Sequence, residues 1–278
     1  MESRDLPWRE PGTSPWGVLV SEVMLQQTPV ARVEPIWRAW MSRWPSPADL
    51  AASAPGDAVH AWGRLGYPRR ALRLHAAAEA MVERHVGQVP DTPAELLALP
   101  GVGTYTAAAV STFAFGQRAT VVDTNVRRVF ARVIDGVGQA APSLTAAEMD
   151  LAATLLPEDA VAARAWSVAV MEVGALVCSA RSPRCAGCPV HDLCAWAQAG
   201  WPAYRGPERR VQPWHGTDRQ CRGAILAVLR ATDGPVTASA VGATWTTDDV
   251  QRDRCLDSLV ADGLVEPLSR NRFRLPGR

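Results

Sequence analysis

Four cysteines, Cys178, Cys185, Cys188 and Cys194, fall within seventeen residues at spacings of six, two and five intervening positions. Thiols this close in sequence form a metal-binding set, and both zinc and a [4Fe–4S] cluster accept four of them. Spacing alone leaves the two open, although zinc ribbons more often use two separated CxxC knuckles. Free buried thiols are the inert alternative. Arg181 and Arg184 sit between the first two cysteines and could reach a phosphate. Cys221 and Cys255, farther along the chain, read as core cysteines.

Two carboxylates stand in contrasting surroundings. Glu22 lies inside the apolar run Val18-Leu19-Val20-Ser21-Glu22-Val23-Met24-Leu25. Desolvation there would favour the protonated form, which a general acid working near neutrality requires. The plainer reading is a polar edge on a buried helix. Asp123 follows Ala119-Thr120-Val121-Val122 and precedes Thr124-Asn125-Val126-Arg127-Arg128. N–H donors and arginines would favour a carboxylate at that helix start, and simple N-capping is the alternative role. One protonated and one ionised carboxyl divide acid work from cation stabilisation, so the pair suggests glycosidic chemistry.

Leu99-Pro100-Gly101-Val102-Gly103-Thr104-Tyr105-Thr106-Ala107 reads as a tight glycine turn between two helices. Outward N–H groups and the helix dipole at such a turn hold phosphate without reading sequence; ordinary helix punctuation looks the same.

These residues must be carried by helices. Residues from about 16 to 200 read as successive amphipathic helices separated by Pro, Gly and Asp, without sustained alternation. Thr92-Pro93-Ala94-Glu95 is a capping box with proline at the first helical position, leading into Leu96, Leu97 and Leu99. Residues 204–217, rich in Pro, Gly and Arg, mark a linker after a first domain of residues 1–203. Beyond it, residues 218–278 predict helices over Cys221–Arg230 and Val250–Ala261. Leu264-Val265-Glu266-Pro267 and Arg272-Phe273-Arg274-Leu275 then predict a short hairpin. That order gives a small winged-helix-like α+β domain, a module that serves either DNA binding or protein docking. The fold class is mainly α.

The composition of the 278 residues, 47% hydrophobic and 21% charged, excludes a disordered chain. No apolar run reads as membrane-spanning and the N-terminus has no signal-peptide pattern, so a cytoplasmic protein is expected. A net charge of +1 does not announce a nucleic-acid partner, although arginines cluster at Arg69-Arg70-Arg73, Arg127-Arg128-Arg132, Arg181-Arg184 and Arg205-Arg209-Arg210. Taken singly, each cluster reads as a solvated helix face. All 29 residues counted as Lys+Arg are arginine. Side-chain Schiff-base chemistry is therefore excluded, leaving only the N-terminal amine for it.

The order of these features resembles the helix-hairpin-helix DNA glycosylases over residues 6 to about 200, and the cysteine spacing resembles the [4Fe–4S] loop of endonuclease III and MutY relatives. Leu6-Pro7-Trp8-Arg9, Ser21 to Thr28 through Gln26-Gln27, and Met171-Glu172-Val173-Gly174-Ala175 look like the MutY branch, whose members excise adenine. The resemblance implies a two-lobed helical fold and a [4Fe–4S] cofactor on Cys178, Cys185, Cys188 and Cys194. It also implies a monomer acting at the bacterial nucleoid on double-stranded DNA that pairs adenine with 8-oxoguanine or guanine.

It further places the general acid at Glu22, the stabiliser of the sugar cation at Asp123, through its field or a transient bond, and a polar neighbour at Asn125. Tyr105 stands where bifunctional relatives carry a catalytic lysine, which implies base removal without strand cleavage. Trp8, Arg9 and Glu172 would line the adenine pocket. Gln27, Thr28, Leu65 and Tyr67 would probe the stack and opposing base, and Gly101, Val102 and Gly103 would hold phosphate.

The family's usual C-terminal domain, Nudix-like with a Phe-Ser-His motif, has no counterpart in residues 217–278, which resemble the short tail of actinobacterial relatives. Two other readings compete. One is a mismatch thymine glycosylase of the same superfamily, which also tolerates tyrosine at the Tyr105 position; Gln26-Gln27 and Glu172 favour adenine. The other is a non-enzymatic iron–sulfur DNA-binding regulator, which gives Glu22 and Asp123 no task.

Overall fold

The computed structural model describes residues 4–206 and 213–278. Its helices run in order as α1 (Pro15–Leu25), α2 (Val30–Arg43), α3 (Pro47–Ala51), α4 (Pro55–Trp62), α5 (Arg69–Arg84), α6 (Pro93–Leu97), α7 (Thr104–Phe113), α8 (Thr124–Val133), α9 (Ala146–Leu155), α10 (Ala160–Glu172) and α11 (Ala195–Gln198). The C-terminal stretch adds α12 (Asp218–Ala231), β1 (Val236–Thr237), α13 (Ala238–Gly242), α14 (Asp249–Ala261), β2 (Glu266–Leu268) and β3 (Arg272–Arg274). The mainly helical class is borne out, and so is the C-terminal hairpin.

Two compact units account for the described residues. The first takes in 4–18, Asp91–Leu97 and 102–206; the second takes in Leu19–Pro90, Ala98–Gly101 and 213–278. The expected linker, 204–217, lies partly outside the described residues.

In the first unit, Val122, Val126, Val129 and Phe130 of the α8 region pack with Ala152, Val170 and Val173. Side chains three and four positions apart share one face of a helix, which brings Val126, Val129 and Phe130 onto one stripe. α6 starts at the predicted capping box: the Thr92 hydroxyl bonds the Glu95 carboxylate and accepts from the Glu95 backbone N–H at 3.3 Å. α9 starts with a second box, Thr145 with Glu148.

α10 does not stop at Glu172 but continues as a π-helical turn over Val173–Val177. The stretch Ala160–Val177 then has 18 residues and a mean hydropathy of 1.5, enough by length and composition to cross a membrane. The expectation that no run is so long is corrected on that count. One face of it is buried, Val170 and Val173 included, and its Glu172 is ion-paired to Arg4 and Arg9.

In the second unit, Val33, Trp37 and Trp40 form the buried stripe of α2. The Trp40 ring meets Trp44 and Trp62 edge-on, at centroid separations of 4.8 and 5.6 Å. α3 and α4 lie against α5, whose Leu74, Ala77, Ala78 and Met81 are buried. The C-terminal elements belong to this unit. β3 pairs antiparallel with both β1 and β2, giving the order β1-β3-β2. The Gly56 N–H donates to Pro276 O at 2.7 Å. A Cβ on Gly56 would lie 2.5 Å from that same oxygen, so only glycine admits the approach. Arg230 donates from Nε to Val59 O at 3.0 Å.

Candidate active site

In the first unit the chain reaches α8 through buried Val121 and Val122 and turns at Asp123 in an extended conformation. Asp123 Oδ1 accepts from the N–H groups of Asn125 at 2.8 Å and Val126 at 2.7 Å, while Oδ2 accepts from Asn125 Nδ2 at 2.8 Å. Three N–H donors thus fix the carboxylate at the positive end of a helix. Asn125 is fixed in turn. Its Oδ1 accepts from Arg128 Nη2 at 2.8 Å, and Arg128 also donates to Gly174 O at 2.6 Å and Cys178 O at 2.7 Å. Gly174 lets the π turn lie directly on α8, since a Cβ there would stand 2.7 Å from Asn125 Cβ.

Glu172, 1% exposed, lies immediately before the π turn. Arg9 Nη1 reaches its Oε1 at 2.8 Å, and Arg4 grips the carboxylate through Nε at 2.9 Å and Nη2 at 2.8 Å. Burial alone pushes a carboxyl pKa up, but the bonds and charges of Arg4 and Arg9 outweigh it and hold Glu172 below the ordinary range. Trp8, 6% exposed, is seated beside Arg9 in a loop that Thr13 closes by donating to Pro7 O at 3.0 Å. The structure therefore brings Arg9 and Glu172 together and adds Arg4, which the sequence reading missed. A lone arginine two residues outside the recognised motif gives no periodic signal. α7 begins at Gly103 with no side-chain cap, and Tyr105 is half-buried in its first turn.

In the second unit Glu22 lies on α1 between fully buried Ser21 and buried Val23, and is itself 6% exposed. The segments carrying the other predicted contacts are drawn together by Arg70. Its Nη1 donates to Val23 O at 2.8 Å and Gln26 O at 2.6 Å; its Nη2 donates to Thr28 Oγ1 and Gly66 O, both at 3.1 Å. The Thr28 hydroxyl also donates to Leu65 O at 3.2 Å. This lattice holds Gln27 (φ 55°) and Tyr67 (φ 46°) in left-handed backbone conformations, both exposed, while Leu65 is buried. Such strain in non-glycine residues persists only where the surroundings impose it. Gly101, at φ +79°, needs to be glycine because a Cβ would stand 2.7 Å from Arg73 Cβ.

Several arginine clusters are not the solvated faces that their sequence suggested. Arg70, Arg127 and Arg132 are buried. Burial pulls the Arg70 pKa down to about 10. Arg127 pairs with Glu148 at 2.9 Å. Their positions carried a signal: Arg70 shares the α5 stripe of Leu74 and Ala77, and Arg132 sits three residues past Val129.

The four cysteines line one cavity with Arg132 and Trp196. Arg132 organises the loop, donating from Nη1 to Cys178 Sγ at 3.3 Å and Ser179 O at 2.8 Å, and from Nε to Gly138 O at 2.9 Å. Its guanidinium lies 4.6 Å from the Trp196 ring centroid. Burial, then the neighbouring Cys178, Cys194 and Cys185, push the Cys188 thiol up. Among the described residues, no set of three or more His, Cys, Asp or Glu side chains is arranged to hold a single ion. Four thiols spread round a shared cavity suit a polynuclear cluster, whereas one zinc ion would draw four sulfurs to about 2.3 Å of a point.

Residues 20–152 match the family of HhH-GPD superfamily base excision DNA repair proteins, and residues 178–194 match the iron-sulfur binding domain of endonuclease III. The chain is 55% identical over 275 residues to an adenine DNA glycosylase of Mycobacterium tuberculosis, spanning 99% of this chain and 90% of that one. A thermostable thymine-DNA glycosylase structure superposes with TM-score 0.63 at 30% identity, over 70% of this chain and 89% of that one. A non-covalent endonuclease III–DNA complex gives 0.61 at 24% identity, over 72% and 90%, which speaks for the fold. The class is thus that of helix-hairpin-helix base excision repair proteins with an iron–sulfur loop. Within it, the chain belongs to the adenine DNA glycosylase family. Its cofactor is a [4Fe–4S] cluster on Cys178, Cys185, Cys188 and Cys194.

Proposed function

We propose that the protein is a monofunctional adenine DNA glycosylase that removes adenine paired with 8-oxoguanine or guanine in duplex DNA. The observation that carries this reading is 55% identity to a mycobacterial adenine DNA glycosylase across 99% of the chain. Arg9 and Glu172, bonded to each other and flanked by buried Trp8, are our candidates for the adenine pocket. Glu22 donates a proton to the extruded base, at N7, and so weakens the bond from base to sugar. As that bond breaks, its electron pair leaves with adenine, and the carboxylate of Asp123 stabilises the sugar cation. Asn125 orients Asp123 through its own amide. Water adds to the sugar carbon and surrenders a proton, leaving free adenine and an abasic site.

Tyr105 and a chain without lysine support cessation at that point, since no side-chain amine can form the imine that precedes strand cleavage. Val102 and Gly103, with Gly101 before them, are assigned to phosphate, supported by the uncapped start of α7. Gln27, Thr28, Leu65 and Tyr67 are assigned to the base stack. The cluster, when bound, supplies iron–thiolate bonds that cross-link the loop. We treat residues 218–278 as a winged-helix-like module appended to a glycosylase of residues 1–203, and the protein as a monomer in the bacterial cytoplasm.

The test is incubation with labelled duplexes containing A:8-oxoG, A:G, T:G or normal pairs, with abasic sites scored before and after alkali. Cleavage of the adenine strand only after alkali is expected. Activity confined to T:G would instead select the thymine enzyme. Glu22→Gln should abolish excision while preserving lesion binding; normal turnover by that variant would remove Glu22 from the acid role.

A further inference from the structure

Arg219, the second residue of α12, is exposed, and its guanidinium carbon lies 4.9 Å from the Tyr67 ring centroid and 5.6 Å from that of Trp214. Both rings are about half exposed, at 44% and 50%. The carboxylate next to it is committed elsewhere: Asp218 pairs with Arg254 at 2.8 Å and accepts from Gln251 at 2.9 Å. Among the described residues Arg219 makes no ion pair. Aromatic faces position a cation without neutralising it or using its in-plane N–H donors. Beneath, Arg70 lies 5.6 Å from the same Tyr67 ring and anchors the strained loop from buried ground. The result is a fixed, unneutralised fork beside an exposed aromatic ring.

We propose that Arg219, held by Tyr67 and Trp214, is a specificity-determining residue that reads the acceptor edge of the purine opposite the target adenine. A planar guanidinium fork matches the paired acceptors O6 and N7 of guanine, the commonest specific arginine contact to a base; in 8-oxoguanine N7 bears a proton, so of that pair O6 alone accepts there. Residues 213–278 thereby supply a reader to the loop at Leu65 to Tyr67, in a chain that lacks the Phe-Ser-His motif. The inference rests on the assignment of Tyr67 to the base stack.

The experiment compares full-length holoprotein with Arg219→Ala, Arg219→Lys and Trp214→Leu variants, in single-turnover excision from A:8-oxoG, A:G and A:C duplexes and in binding titrated against salt. Wild-type excision of adenine comes first; its absence would sink the proposed function and this inference with it, whereas adenine excision with unaltered ratios in the variants would sink this inference alone. Arg219→Ala should lower the preference for guanine over cytosine about tenfold or more, as loss of one bidentate base contact does, and the preference for 8-oxoguanine over cytosine by less, since only O6 of that pair accepts there. Arg219→Lys should stay impaired, because it keeps the charge and loses the fork. Trp214→Leu should shift the same ratio less. A uniform loss across all three duplexes, with the salt slope reduced by about one, would make Arg219 a phosphate contact and overturn the proposal. Unchanged ratios in a variant with wild-type melting would overturn it as well.

Discussion

Replacing Gly174 by alanine should disable the enzyme without touching any group assigned to chemistry. The added methyl would meet Asn125 Cβ at 2.7 Å, Asn125 O at 2.9 Å and its carbonyl carbon at 3.0 Å. Two of those three atoms are backbone, so no rotamer change relieves them. The start of α8 must instead retreat from the π turn by about 0.7 Å to restore ordinary contact, from 2.7 Å to 3.4 Å. Overpacking of this kind costs about 1–3 kcal/mol, which corresponds to a fall in Tm of several degrees for a chain of this size. Asn125 holds Asp123 through both its backbone and side-chain amides, so the carboxylate moves with it. A displacement of about 1 Å at a reacting group costs on the order of 100-fold in rate, so about 0.7 Å should cost roughly 25-fold. The assay is single-turnover excision from an A:8-oxoG duplex at saturating protein, beside a melting curve and an iron determination. A variant with wild-type iron, an unchanged Tm and a rate within about twofold would refute this account of α8 positioning.

Three further outcomes follow from the geometry. Asp123→Asn keeps an acceptor for the Asn125 and Val126 N–H groups, so it should melt near wild type and yet lose excision; Asp123→Ala should lose excision and also about 1 kcal/mol of stability with the cap. Glu172→Gln should cost about 2 kcal/mol near pH 7, where the charged bonds to Arg4 and Arg9 are intact. Because folding lowers the Glu172 pKa, that contribution is present above the unfolded-state pKa and lost as pH falls through the folded one. Melting curves of wild type and variant should thus draw together only as the pH falls below the ordinary carboxylate range. Cys188→Ser should lower the iron-to-protein ratio and the Tm together, and equal iron in variant and wild type would remove Cys188 from the ligand set.

What could be seen in the sequence was whatever local chemistry dictates. The capping box at Thr92, the cap at Asp123, the glycine at 101 and the C-terminal hairpin each depend on a few adjacent residues, and each stands in the structure. The burial of Arg70 and Arg132 was missed because most of their partners are backbone carbonyl groups. Arg70 spends its donors on Val23, Gln26 and Gly66 oxygens, and every residue carries a carbonyl, so no side-chain pattern announces the contact. β1 and α13 were missed for a related reason: a two-residue strand is defined by its pairing with Phe273 and Arg272, some 35 residues away.

Arg132 carries a consequence for reading natural variation. One side chain of α8 suspends the loop at Cys178, Ser179 and Ala180, while the first residues of the same helix seat Asp123. Alleles that alter the iron loop and alleles that alter the aspartate should therefore not segregate into separate phenotypes. A substitution at a residue with no assigned role in chemistry or base recognition, such as Arg132→Gln, is expected to score as a mutator, and a survey that ranked alleles by catalytic assignment alone would misplace it.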